Sequence, residues 1–169
     1  MAFETERLRV AHLLRRAGFG YTPSELDVYG AAGFQATLDA LLNFEQVDDS
    51  AVEQQVAAIA VDRRNAELAR LSWMTRMLYT RRPLQEKMAL FWHTHFATSN
   101  SKVNNAPLML NQIQLFRDNG LGSFETLLQK VTRDPAMLIW LDNRLNRKGA
   151  PNENYAPEIR AVEGARSKT

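Results

Sequence analysis

Apolar residues recur every three or four positions along most of the chain, which is the spacing of one face of an α-helix. The first such run covers residues 5–17, where one line contains Leu8, Ala11, Leu14 and Ala17. No alternation typical of a β-strand extends beyond a few residues, and no internal repeat is present. The pattern predicts an all-α fold, an irregular multi-helix domain of about seven to nine helices.

Several helix boundaries carry local signals. The segment Thr22–Glu25 reads TPSE, in which a threonine cap, a proline at the first helical position and a glutamate form a capping box. Ser50 and Glu53 have the same spacing and predict a second capping box. Gly18 follows the first helix, at a position where a left-handed cap is common.

Two apolar stripes, separated by the polar stretch VDRRNAE, predict one or two helices over residues 50–79. The first stripe contains Val52, Val56 and Ile59, and the second contains Leu68, Leu71, Met74 and Leu78. We interpret the first half as a candidate surface helix and the second half as a candidate core helix.

Pro83 begins the next helical pattern. We expect its buried face to contain Leu84, Met88, Trp92 and His95, because these residues fall on one side of the helix.

His93 and His95 are separated by about 200° if this helix continues through both residues. Side chains pointing that far apart cannot reach one metal ion. We therefore expect His95 to be the more buried, as a packed core histidine, and His93 to face the polar segments 98–105 and 146–154. A site that takes His93 from this helix and its other members from elsewhere stays an alternative.

The remaining signals predict a loop, three further helices and a tail. Residues 97–106 are rich in serine and asparagine and are interpreted as a loop. Pro107 begins a helix that Gly120 ends, and Ser123 is a candidate cap for the helix after it. Asp134–Pro135 predicts the capped start of the last clear helix.

The chain is polar after that last helix. We expect a helical domain over residues 1–158 and a loose polar C-terminal tail over residues 159–169. The tail lacks apolar periodicity and cannot offset the entropy cost of ordering, about 1–2 kcal/mol per residue.

Short polar side chains concentrate in NNAP, residues 104–107, and in NRKGAPNENY, residues 146–155. Such residues usually form turns, although an oxygen-rich cluster also suits a hard cation or a polar ligand. The candidate catalytic residues are His93, Asp142 and Glu153, and the candidate ligand-binding residues are Lys148, Asn152 and Asn154. Their spacing matches no established metal or phosphate motif, so we assign no metal ligands and no cofactor.

Composition excludes several classes of site. The chain of 169 residues has no cysteine, which excludes disulfides, thiolate metal sites and cysteine nucleophiles. The net charge is only +2 and arginine is interleaved with acidic residues, so we expect no nucleic-acid binding. No apolar stretch is long enough to span a membrane and the N-terminus has no secretory pattern, so we expect a cytoplasmic chain as written.

Six consecutive motifs between about residues 8 and 158 resemble the bacterial domain-of-unknown-function 1800 family. They are HLLRRAGFG, PLQEKMALFWHTHFATS, KV, LFRDNGLGSFETLL, RDPAMLIWLDN and NRKGAPNENYA, in this order. The resemblance implies a helical protein without an established reaction. It also implies that relatives are much longer, are often encoded beside a sulfatase-like protein, and are in many cases exported.

Pro157 stands where such relatives continue with arginine, and the segment EIRAVEGARSKT has no strong apolar face. We therefore expect the chain to correspond to the N-terminal portion of a family member, ended by truncation or by a change of reading frame. Three functions stay open. They are a fragment without its own activity, a metal-dependent hydrolase-like enzyme, and a binding or scaffold module for a secreted sulfatase-like protein from the same operon.

Overall fold

The computed structural model describes residues 2–60 and 62–143. Within these ranges all the regular elements are helical, so the predicted all-α class is confirmed. The helices are α1 (Ala2–Ala17), α2 (Pro23–Ala32), α3 (Phe34–Leu42), α4 (Ser50–Ile59), α5 (Ala66–Tyr79), α6 (Pro83–Phe96), α7 (Asn100–Val103), α8 (Ala106–Asn119), α9 (Phe124–Val131) and α10 (Pro135–Trp140). The described part of the chain thus has ten α-helices, one more than the upper expectation, because α7 lies in the predicted loop over residues 97–106.

The chain divides into two compact units, Met1–Phe91 and Trp92–Thr169. In the first unit α1, α2 and α3 pack on one another, and α4 packs on α5. In the second unit α8 packs on α9 and α10, and α7 packs on α8 and α10. The expected boundary at residue 158 and the expected tail over residues 159–169 lie outside the described residues and stay predictions.

The local cap signals had mixed outcomes. The capping box before α2 is confirmed, since the Glu25 amide donates to Thr22 Oγ1 at 3.3 Å and the Thr22 amide donates to Glu25 Oε2 at 2.6 Å. The predicted left-handed cap at Gly18 is wrong, because the positive-φ glycines of the described chain are Gly20 and Gly33. Gly18 instead permits a close approach, since an added Cβ would lie 3.1 Å from Pro83 Cβ.

The predicted second capping box is also wrong. Ser50 is the first residue of α4 and Asp49 occupies the cap position, with no side-chain cap bond. The Asp49 carboxylate turns instead to the end of α5, where it accepts from Thr80 Oγ1 at 2.7 Å and from the Arg81 amide at 2.8 Å. A tertiary contact has therefore replaced the local cap.

The predicted buried stripe of α5 faces solvent. Leu71 and Met74 are each 50% exposed and Leu78 is 74% exposed, whereas Leu68 is half-buried. The buried face contains Ala69, Ser72, Trp73 and Arg76. The assignment of α5 as a core helix with this stripe inside is therefore wrong. On α4, the candidate surface helix, Val52 and Val56 are buried.

Polar partners explain which face of α5 turns inward. The Arg76 guanidinium binds Glu53 of α4 through two bonds of 3.1 and 2.6 Å. The Trp73 indole donates to the fully buried Glu86 of α6 at 3.3 Å. Because a buried polar group is costly unless it is paired, these contacts fix the rotation of the helix against its apolar pattern.

Candidate functional site

The buried face of α6 differs from the expected one. The buried residues of this helix are Gln85, Glu86, Ala89 and Phe96, whereas Leu84, Met88 and Trp92 are half-buried. His93 lies beside the line from Ala89 to Phe96 and is half-buried, and His95 is exposed. The prediction that His95 is the more buried histidine is therefore wrong. The predicted divergence of the two histidines along one helix is confirmed.

His93 lies in aromatic surroundings. Its ring centroid is 6.5 Å from that of Phe116, in an edge arrangement. Phe116 is 0% exposed and stacks on Phe96 at 5.7 Å between centroids. Burial lowers the pKa of His93 below its ordinary value, because the low-dielectric surroundings disfavour the charged imidazolium.

Because burial lowers the pKa of His93, we expect the free energy of unfolding to decrease at acidic pH. As the pH falls below about 6.5, the unfolded chain takes up this proton before the folded chain does. The contribution of His93 is therefore present above that pH and is lost as the pH falls through its lower folded-state pKa. We expect His93→Gln to show a smaller loss of urea midpoint between pH 8 and pH 5 than the original chain.

His12→Gln is the matched control, since His12 is exposed on α1. As an exposed replacement it should leave the urea midpoint at pH 8 close to that of the original chain. An unchanged loss in His93→Gln would contradict the burial argument.

Trp92 joins α6 to the end of α8. Its indole Nε1 donates to the Gly120 carbonyl at 2.8 Å, and its ring stacks on Phe124 of α9 at 5.6 Å. An added Cβ at Gly120 would lie 2.8 Å from Trp92 Cδ1, so only glycine permits this approach. His95 packs its ring edge-on against Trp92 at 5.6 Å. The two histidines therefore belong to one aromatic cluster on α6, α8 and α9.

Asp142 has a described partner of its own. Its Oδ2 lies 2.7 Å from Lys102 Nζ of α7, and Lys102 also donates to the Trp140 carbonyl. Lys102 Nζ lies 5.6 Å from the centroid of the Trp140 ring. The described contacts of Asp142 are thus an ion pair after α10, whereas those of His93 are aromatic.

The other candidates, Lys148, Asn152, Glu153 and Asn154, lie outside the described residues. The proposed cation or polar-ligand cluster over residues 146–154 therefore stays a prediction. Over residues 2–60 and 62–143, no group of three or more His, Cys, Asp or Glu side chains is placed to hold a metal ion.

One contact between two buried polar side chains was not predicted from the sequence. Gln112 of α8 is 0% exposed and its Nε2 donates to Asp134 Oδ2 at 2.7 Å. Asp134 also caps α10 as predicted, since it accepts from the Met137 amide at 2.9 Å. Burial raises the pKa of Asp134, although both hydrogen bonds act in the opposite direction. The sequence feature that could have indicated this pair is Gln112 itself, a glutamine among the apolar residues on one side of α8.

The outer face of α5 is the apolar surface that sequence reasoning placed in the core. We call Leu71, Met74 and Leu78 the α5 stripe. They follow i, i+3, i+7 spacing, which puts all three on one side of the helix. Tyr79, 64% exposed, borders the stripe at its C-terminal end.

Charged residues border the same surface. Glu67 and Arg70 lie toward the N-terminal end of α5 and form an exposed pair at 3.3 Å. Arg81, also exposed, follows the helix at its other end. The α5 stripe is thus apolar in its centre and carries charges of both signs around it.

Comparison with known protein families confirms the family that the sequence motifs resemble. The model of the family described as "Protein of unknown function (DUF1800)" matches residues 12–160. The chain belongs to the DUF1800 family. No curated protein and no solved structure matches this DUF1800 chain. In the part of the chain that the structure describes, no helix has the length and apolar character needed to cross a membrane.

Proposed function

We propose that this DUF1800 chain is a protein-binding module and that the α5 stripe is its contact surface. Single exposed apolar residues are normal, but a contiguous apolar patch marks interaction surfaces. The ten large apolar residues exposed on the described chain include Leu71, Met74, Leu78 and Tyr79, all on α5. This clustering is the observation that carries the proposal. The i, i+3, i+7 spacing is that of anchor residues in helix docking.

The contacts that hold α5 in place also support this role. Its inner face is held by the bonds from Arg76 to Glu53 and from Trp73 to Glu86. Its C-terminal end is held by the bond from Thr80 to Asp49. A helix fixed along its inner side presents its outer side without rearrangement, which lowers the entropy cost of binding.

The family resemblance supplies one candidate partner, the sulfatase-like protein encoded beside relatives of this chain. The expectation that the chain is the N-terminal portion of longer relatives stays a prediction. The proposal does not depend on it, because the α5 stripe lies within the first unit. The hydrolase-like alternative depends on residues 146–154 and also stays a prediction.

Calorimetric titration of that sulfatase-like protein with the chain tests the proposal. We expect Met74→Glu to weaken binding at least roughly tenfold, because a charge placed in the centre of an apolar contact must be desolvated. Val28→Glu is the matched control, since Val28 is 69% exposed on α2 of the same unit. Equal binding by the original chain and Met74→Glu, or no binding by either, would count against this function.

A further inference from the structure

We propose that the C-terminal end of α1 and the turn after it bind the surface of an anionic lipid membrane. The contact residues are Arg15, Arg16, Phe19 and Lys87, which we call the α1 tip. This surface shares no residue with the α5 stripe, so the inference does not rest on the proposed function. Attachment of this kind takes place at the headgroups and needs no helix that crosses the bilayer.

Three cations of the α1 tip have uncharged surroundings. Arg15 and Arg16 lie in the last turn of α1 and are both exposed. The Arg15 guanidinium donates to the Tyr21 hydroxyl at 2.8 Å, and the Lys87 ammonium donates to the Gly18 carbonyl at 2.8 Å. In the described part of the chain, no carboxylate forms an ion pair with any of the three cations. Their charges are therefore not neutralised by the fold.

Acidic side chains of α1 and α2 have other partners. Glu6 lies 3.0 Å from the Arg9 guanidinium and also accepts from the Phe34 amide at 2.8 Å. Asp27 of α2 lies 2.8 Å from the Arg7 guanidinium. These carboxylates are thus balanced within the first unit, and the positive charge of the α1 tip is left for an external anionic surface.

Phe19 adds an exposed aromatic ring beside these cations. It is 43% exposed, in the turn between α1 and α2, and Lys87 Nζ lies 5.5 Å from the centroid of its ring. The turn is held at Gly18 by the bond from Lys87. Gly20 has a φ of +126°, and an added Cβ there would have no atom within 4 Å, so the turn is open on that side. The ring can therefore enter the headgroup region of a membrane while the lysine beside it meets a lipid phosphate.

Two features favour a lipid surface over a single-stranded nucleic acid, which also binds cations and aromatic rings. The Lys87 ammonium lies over one face of the Phe19 ring, so that face is not open for stacking on a base. Leu8 is 65% exposed and lies within about 100° of Arg15 and Arg16 around α1. An aliphatic side chain gains nothing from phosphates or bases, but it is stabilised in the interface of a bilayer.

The number of cations sets the expected strength of binding. Each basic residue close to an anionic membrane strengthens binding roughly fivefold, so three of them give on the order of a hundredfold. With one ring inserted, we expect a reversible attachment that is weaker than the partition coefficient of about 10⁴ M⁻¹ of a single myristoyl chain. The Debye length falls from about 10 Å at 0.1 M salt to about 3 Å at 1 M salt, so the attachment should be lost at high salt.

Co-sedimentation with lipid vesicles tests the role of the cations. The probes are vesicles of phosphatidylcholine alone and vesicles that also contain phosphatidylglycerol. We expect the original chain to bind the anionic vesicles at least roughly tenfold more strongly, and Arg16→Gln to weaken that binding roughly fivefold. Arg70→Gln is the matched control, because it removes the same charge from an exposed position on α5, and it should change binding less than about twofold. Equal binding to both kinds of vesicle, or equal losses in the two variants, would overturn the proposal.

Truncation of the ring tests its insertion. Phe19→Ala should weaken binding to the anionic vesicles at least roughly threefold, because the inserted apolar surface is lost. Phe91→Ala is the matched control, since the same side chain is 51% exposed on α6, and it should leave vesicle binding unchanged. Equal effects of the two truncations would overturn the assignment of Phe19 to the contact. Circular dichroism of each variant confirms that the helices are retained.

Two polyanions without a lipid interface, poly-glutamate and a single-stranded oligonucleotide, distinguish a membrane from an acidic protein or a nucleic acid. We expect both to bind the chain more weakly than the anionic vesicles do, with no effect of Phe19→Ala on that binding. Binding of either polymer that exceeds vesicle binding and is lost in Arg16→Gln would overturn the membrane as the partner of the α1 tip.

Discussion

Phe116→Ala should lower the free energy of unfolding by about 3–5 kcal/mol, the usual loss when a large buried aromatic side chain is truncated. Phe116 is 0% exposed, stacks on Phe96 and contacts the edge of His93. Its removal leaves a cavity among aromatic rings on α6 and α8, which cannot collapse without moving both helices. Urea denaturation at neutral pH measures the loss.

Phe91→Ala is the matched control, because the same side chain on α6 is 51% exposed. It should cost about 1 kcal/mol or less, since most of its surface already contacts water. Similar losses for the two variants would show that Phe116 is not packed as described.

Asp49→Ala should be similarly damaging, with a loss of about 3–5 kcal/mol. The carboxylate is 4% exposed and accepts from Thr80 Oγ1 and from the Arg81 amide. Hydrogen bonds to a charged acceptor contribute roughly 1.5–3 kcal/mol each, and truncation leaves both donors without this partner. The variant should also loosen the segment between α5 and α6, as measured by faster amide exchange at Arg81.

The neighbouring Asp48→Ala provides the comparison. Asp48 is exposed, and its carboxylate accepts from the Ser50 amide at 3.0 Å. This variant should lose much less stability than Asp49→Ala and should leave amide exchange at Arg81 unchanged. The reverse order of the two losses would contradict the tertiary role assigned to Asp49.

The sequence predicted helices well where the signal was local. The capping box at Thr22–Glu25 and the Asp134 cap of α10 depend on residues within three positions of each other, and both are confirmed. The motifs for the family spread over most of the chain, and the family match over residues 12–160 confirms them. Helix caps and long family motifs can therefore be recognised from the sequence alone.

Buried faces were predicted less well, because the apolar pattern alone was used to find them. In α5 the inward face carries Arg76 and Trp73, whose polar groups find partners only in the folded chain. In α6 the buried positions include Gln85 and Glu86, which look like surface residues in a sequence. The spacing of apolar residues along the sequence does not reveal such long-range pairs of polar side chains.

The candidate site shows the same limit. The divergence of His93 and His95 followed from helix geometry and is confirmed, but their burial was assigned in reverse. The error came from treating Leu84, Met88 and Trp92 as the markers of the inner face. The α5 stripe was missed as a surface for the same reason, since its regular spacing is also that of a core helix.

Methyl NMR of methionine-labelled chain tests the central claim, that the α5 stripe is a binding surface, most directly. Met74 is 50% exposed at the centre of the stripe, whereas Met109 and Met137 are buried in the second unit. As the sulfatase-like protein is added, the Met74 methyl signal should shift progressively while those of Met109 and Met137 stay fixed. A Met74 signal that stays in place throughout this titration would contradict the account.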